Sequence, residues 1–157
     1  KWDVINAAYI LEHISRPLAF LKRLKKNLKK DGIIIVEVPN EFSPLQLAYL
    51  KNHNARPYWI ALPDHLNYFD KKGIEGLVRK AGYRIAHAEG SFPMEMFLLM
   101  GDDYIVDPAV GKASFKKVVK MEDVLRNYEN GAVSRMYSAL YGCGIGRSMV
   151  LYIKARR

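Results

Sequence analysis

Apolar positions along this chain fall into two rhythms, one that predicts strands and one that predicts helices. Residues 2–8 (Trp-Asp-Val-Ile-Asn-Ala-Ala) form a short apolar, β-branched run, as expected of a buried strand. Leu18, Leu21, Leu24 and Leu28 then recur at helical spacing. Pro17 suits the first turn of that helix, with Ser15 near its cap, and Asp31-Gly32 predicts its end. Residues 33–38 (Ile-Ile-Ile-Val-Glu-Val) predict a second strand, apolar enough to be covered on both sheet faces, and Pro39-Asn40 breaks it.

Residues 42–52 predict a short helix, and residues 55–68 a loop rich in proline and aromatics. Asp70 predicts the cap of a helix over 71–81 that Gly82 terminates. Residues 83–89 predict a third strand, and residues 91–107 an apolar, irregular stretch. A mostly helical segment over 115–140 is expected to break near Gly131, before a final strand over 148–155. The order is strand, helix, strand, helix, strand, helical insertion, strand. Such alternation implies an α/β sheet with helical crossovers. All 157 residues read as one domain, with residues 92–142 as a helical insertion or cap packed on the sheet.

Composition narrows the classes. Half of the residues are hydrophobic, so a packed core is expected, and no apolar run approaches the roughly 18 residues of a membrane span. No secretory signal pattern opens the chain. Cys143 is the one cysteine, which excludes an internal disulfide and a cysteine zinc site and fits a reducing cytoplasm. The formal charge of +9 admits an anionic partner. Much of it, however, sits in residues 22–30, on the polar face of a helix whose other face is leucine, so nucleic acid is not expected.

Three stretches stand out in order: Asp3-Val4-Ile5 with Ile10-Leu11-Glu12-His13, then Leu28 to Gly32 with Ile33 to Val36 and Pro39-Asn40, then Asp64 to Phe69 with Gly73 to Leu77 and Ala81-Gly82-Tyr83. Together they resemble the second half of a class I S-adenosylmethionine-dependent methyltransferase of the type 11/type 23 group. The resemblance implies a Rossmann-like methyltransferase sheet, strands four to seven, the last one antiparallel. It implies S-adenosylmethionine as cofactor and a small-molecule acceptor. The family's glycine-rich cofactor turn and following acid do not precede Trp2. The isolated chain is therefore expected to keep the acceptor side and bind little or no S-adenosylmethionine. A non-catalytic module, self-associating through an open sheet edge, is the alternative. Gly142-Cys143-Gly144-Ile145-Gly146 resembles the missing turn, but a helical pattern precedes it and a strand follows, so a simple turn is the expected reading.

Methyl transfer needs donor and acceptor held in line, and a hydroxyl acceptor benefits from a base. The resemblance places His65 and His13 on the cofactor-facing rim as candidates for that base. Backbone hydrogen bonding for His65, and pairing with Glu12 for His13, are the competing structural roles. Ala7 and Ala8 match positions where the family's fourth strand passes the cofactor. Asn40 and Tyr68 are candidate acceptor contacts. Turn geometry is the competing role for Asn40, and core packing for the aromatics Tyr58, Trp59, Tyr68, Phe69 and Phe92. Glu12, His13 and His65 resemble a divalent-metal set of related methyltransferases, but Tyr9 stands where that set has another carboxylate. No metal centre is expected on that ground.

Overall fold

The computed structural model describes residues 1–156. Its elements are β1 (Trp2–Ala8), α1 (Pro17–Asn27), β2 (Leu28–Pro39), α2 (Pro44–His53), α3 (Lys71–Lys80), β3 (Tyr83–Gly90), α4 (Glu95–Leu99), α5 (Pro108–Tyr128), α6 (Ala132–Gly142) and β4 (Ser148–Ala155). The four strands form one sheet in the order β1-β2-β4-β3. β1 and β2 are parallel, whereas β4 runs antiparallel to both β2 and β3. The antiparallel last strand is therefore where the sequence resemblance put it.

One face of the sheet carries the core. Ile34, Val36 and Val38 of β2 stand opposite Ile153, Leu151 and Met149 of β4 in register. All six are buried, together with Leu21 of α1 and Ile74 and Val78 of α3. Strand alternation puts these residues on one side, and the apolar stripes of α1 and α3 close over them. Asp70 caps α3 by accepting from the Gly73 amide, as expected, and Ser43 caps α2 reciprocally with Gln46. The other face differs from the expectation of full cover. Ile33 and Ile35 are half-buried, and on the edge strand Val4 is 54% and Trp2 67% exposed.

Two boundaries also differ. α1 ends at Asn27, and Leu28 already belongs to β2. Leu28 pairs with Trp2 and Ile33 with Val4, so residues 29–32 form a bulge in β2. Gly32 is needed there for space rather than as a helix stop. A Cβ on it would lie 2.8 Å from Leu28 Cδ1 and 3.0 Å from the Asp3 carbonyl oxygen. The stretch expected to be irregular contains α4, whose five residues are too few to carry a helical period. The break at Gly131 is present, with φ of 82° as the left-handed start of α6.

Candidate functional site

The C-terminal ends of the parallel strands form a rim with unusual backbone. Tyr9 follows β1 with φ of 52°, and Phe42 follows the β2 turn with φ of 59°. Left-handed conformation in an aromatic residue carries strain of about 1 kcal/mol or more, and such strain concentrates at functional sites. Two loops cross this rim, residues 10–16 and 54–70. Asn67 ties them together, its amide donating to the carbonyls of Leu11 (3.0 Å) and Ile14 (2.7 Å). The Leu66 and Asn67 backbone amides both donate to the Glu12 carbonyl.

That stitching gathers four titratable side chains. The His13 and His65 rings meet edge-on at 4.9 Å between centroids. His13 Nδ1 lies 2.8 Å from the Asp64 carbonyl oxygen, an acceptor only, so Nδ1 carries the proton and a neutral ring keeps Nε2 as an acceptor. His65 Nδ1 stands 3.4 Å from Glu41 Oε1, a long contact that points its Nδ1–H at the carboxylate. Glu12 and Glu41 are both buried, and each has an Oε2 without a hydrogen-bond partner among the described residues. Burial pushes the Glu41 carboxyl above the usual carboxylate range, opposed by the hydrogen bond and charge of His65. One ligand atom each from Glu12, His13 and His65 lies within 4.8 Å of the others. The three residues set aside as a metal set are thus adjacent, with Glu41 as a second carboxylate beside His65.

A cavity of about 350 Å³ opens beside this cluster, lined by His65, Glu41, Tyr58, Trp59, Tyr9 and Arg147 among others. A neighbouring one of about 280 Å³ shares Tyr9, Arg147 and Ser148 with it. A larger concavity, about 600 Å³, lies by Lys30, Asp31, Arg84 and Lys154, away from this rim and without a histidine. Arg147 is fixed by Glu95, which is fully buried. Oε1 of Glu95 receives Arg147 Nη1 at 2.7 Å, the Tyr58 hydroxyl at 3.1 Å and Gln46 Nε2 at 3.4 Å. Burial, then the Glu95 charge, raises the Tyr58 hydroxyl far above the ordinary phenol range.

The remaining sequence candidates separate. Asn40 is buried and donates its amide hydrogens to the carbonyls of Gly144 and Gly146. It holds the glycine-rich turn, which leads from α6 into β4 with Gly144 at φ 70°. The Tyr68 hydroxyl accepts from the Ala61 amide, and its ring lies 6.0 Å from His65. Ala7 packs into the core, and half-buried Ala8 lies opposite Glu37. The sequence reading missed Glu41, Asn67, Glu95 and Arg147. Of these Glu41 has a local signal, a charged residue directly after a strand-ending Pro-Asn, and Asn67 stands inside the Asp64 to Phe69 stretch.

Comparison with known proteins gives the cluster its context. Residues 1–88 match the family described as methyltransferase domain. The chain belongs to that family. Within this methyltransferase domain the matched segment contains Glu12, His13, Glu41 and His65, whereas Arg147 and Ser148 come from beyond it. Similar solved structures include a SAM-dependent methyltransferase from Thiobacillus denitrificans in complex with S-adenosyl-L-homocysteine. It is 15% identical, with 99% of this chain and 59% of that one covered and a TM-score of 0.44. A mycolic acid cyclopropane synthase complexed with S-adenosylhomocysteine is 14% identical, with coverage of 99% and 55% and a TM-score of 0.45. The chain thus spans 59% and 55% of the length of these two structures. No curated protein matches it.

Proposed function

We propose that this domain forms the acceptor side of a S-adenosylmethionine-dependent methyl transfer to a small molecule bearing a hydroxyl. The observation that carries this reading is the His13–His65–Glu41 cluster opening onto a 350 Å³ cavity at the C-terminal rim of the parallel strands. In α/β sheets that rim is where ligands bind. S-adenosylmethionine would supply an electrophilic methyl on a sulfonium. Ala8 and the rim backbone beside it are small enough to lie against such a cofactor, while Ala7 supports them from the core. His65 takes the acceptor's proton at Nε2, and Glu41 holds the ring through Nδ1. The same cluster also suits a divalent cation, held by Glu12, His13 and His65, since the buried Oε2 of Glu12, without a hydrogen-bond partner among the described residues, favours a positive charge. A cation there would polarise the acceptor hydroxyl.

The glycine-rich turn contributes little to cofactor binding in this reading. The carbonyls of Gly142, Gly144 and Gly146 already accept from Lys71 and Asn40, and the turn precedes a strand. Calorimetry of the chain with S-adenosylhomocysteine is therefore expected to give weak binding or none. Micromolar binding would show that these residues hold the cofactor after all, and would return the turn at 142–146 to candidacy.

A second reading is a self-associating module. Its motivation is β1, an edge strand with Trp2 and Val4 more than half exposed. Such an edge offers unpaired backbone groups to another strand. Sedimentation equilibrium is expected to show concentration-dependent dimers, weakened by Val4→Lys. A chain that stays monomeric up to about 100 μM, where even weak pairing of about −5.5 kcal/mol would register, rejects this reading.

A further inference from the structure

The second cavity has a chemistry that the His65 site does not explain. It measures about 280 Å³ and is walled by four aromatic rings, Tyr9, Phe92, Phe115 and Tyr137, with two carboxylates, Glu37 and Glu122. These come from five places in the chain: the end of β1, strand β2, the segment after β3, and helices α5 and α6.

The charges around it do not cancel. Glu122 is matched, with Oε2 at 2.6 Å from Arg126 and Oε1 accepting the Tyr137 hydroxyl. Arg147 also borders the cavity, but its charge is matched by buried Glu95 at 2.7 Å. Glu37 is different. Its Oε1 accepts from the Tyr9 hydroxyl and the Ser148 hydroxyl, both at 2.8 Å. Both donors are neutral, and among the described residues Glu37 forms no ion pair. Among the described residues its Oε2 makes no hydrogen bond. One unmatched negative charge therefore faces a chamber of aromatic rings.

Ring faces attract cations through their quadrupole, and the attraction strengthens as water is excluded. Alkylated ammonium suits such walls better than a bare ammonium, because it has fewer hydrogen bonds to lose on leaving water. We infer that this cavity binds an alkylated ammonium group carried by the acceptor. It adjoins the His65 cavity through Tyr9, Arg147 and Ser148. One molecule can then anchor its cation against Glu37 and extend its hydroxyl towards His65. The strained backbone of Tyr9 sets the shared ring and hydroxyl at that junction. The inference names the class of acceptor, an amino alcohol, and rests on the methyl-transfer reading only for what happens at the hydroxyl.

The test is binding without any methyl donor, so its outcome does not depend on methyl transfer. Choline and its neutral carbon isostere 3,3-dimethylbutan-1-ol are titrated in parallel, followed by calorimetry or ligand-observed NMR. Choline is expected to bind at least about tenfold more tightly than the alcohol. Glu37→Gln keeps both hydroxyl hydrogen bonds but removes the charge, and is expected to abolish the preference. Phe115→Leu changes a side chain that is 60% exposed, and is expected to reduce the preference severalfold without disturbing the fold. The inference is overturned if the unsubstituted protein shows no preference for choline, including the case where neither probe binds. It is equally overturned if a folded Glu37→Gln variant keeps the full preference. Should Glu37→Gln fail to fold, an unchanged preference in Phe115→Leu overturns it.

Discussion

Replacing His65 with alanine is expected to lower methyl transfer by the complete protein by about 10²- to 10⁴-fold, the usual worth of a positioned acid–base group. The fold should survive. The His65 side chain is 19% exposed and belongs to a loop whose backbone is held independently, by Ala61 through the His65 amide and by Asn67 through Leu11 and Ile14. The lost contacts are the long hydrogen bond to Glu41 and the edge-on ring contact with His13, together worth about 1 kcal/mol. A thermal melt close to that of the unsubstituted protein would separate chemistry from unfolding. Two further readouts divide the possible roles of the ring. If His65 moves the proton, imidazole added to the His65→Ala variant should restore part of the rate, since the vacated space opens on the 350 Å³ cavity. If it holds a cation, activity should depend on added Mg²⁺ or Mn²⁺, and Glu12→Gln should be as damaging as His65→Ala. A rate within about threefold of the unsubstituted enzyme would remove His65 from the mechanism altogether.

The parts of this site that were legible in the sequence are those with local signals. The bounds of β4 are legible because a short apolar run stands between a glycine-rich turn and a charged end, and β1 is legible from its apolar, β-branched run over 2–8. Asp70 was readable as a cap because the side chain and the amide it serves are three residues apart. The end of α1 was not, because Leu28 satisfies both the helical spacing of the leucines and the start of β2, and residues 29–31 are polar enough for either. Only the packing of Gly32 against Asp3 and Leu28 decides it. The two histidines could be nominated because they stand in motifs. Their partners could not. Glu95 and Arg147 lie on opposite sides of α5 and α6, and nothing near either residue predicts that one will be buried against the other. The cavities arise from the same long-range closure. Tyr9, Glu37, Phe92, Tyr137 and Ser148 have no periodicity in common, and only the sheet order brings β1, β2, β3 and β4 to one rim.

The Glu95–Arg147 pair also predicts the largest effect on stability. Arg147→Ala is expected to cost about 3 kcal/mol, the lower end of what breaking a buried ion pair costs. The lower end applies because the Arg147 side chain is 40% exposed, so water can enter the space it vacates. What remains is a carboxylate at 0% exposure, with the neutral donors Tyr58 and Gln46 on Oε1 and, among the described residues, no hydrogen bond to Oε2. The damage should therefore come from the stranded charge, more than from the loss of arginine contacts. That attribution is open to a double-substitution test. Adding Glu95→Gln to Arg147→Ala removes the stranded charge and should recover at least half of the lost stability, so that the double variant is more stable than Arg147→Ala alone. Chemical denaturation of the four proteins in the cycle gives the coupling directly. Additive losses would mean that Arg147 stabilises the fold by packing on the Tyr58 ring, 6.0 Å from its guanidinium carbon, and that Glu95 is tolerated without it. A coupled result would make this pair the fixed post on which Arg147, and with it the wall between the two cavities, is held in place.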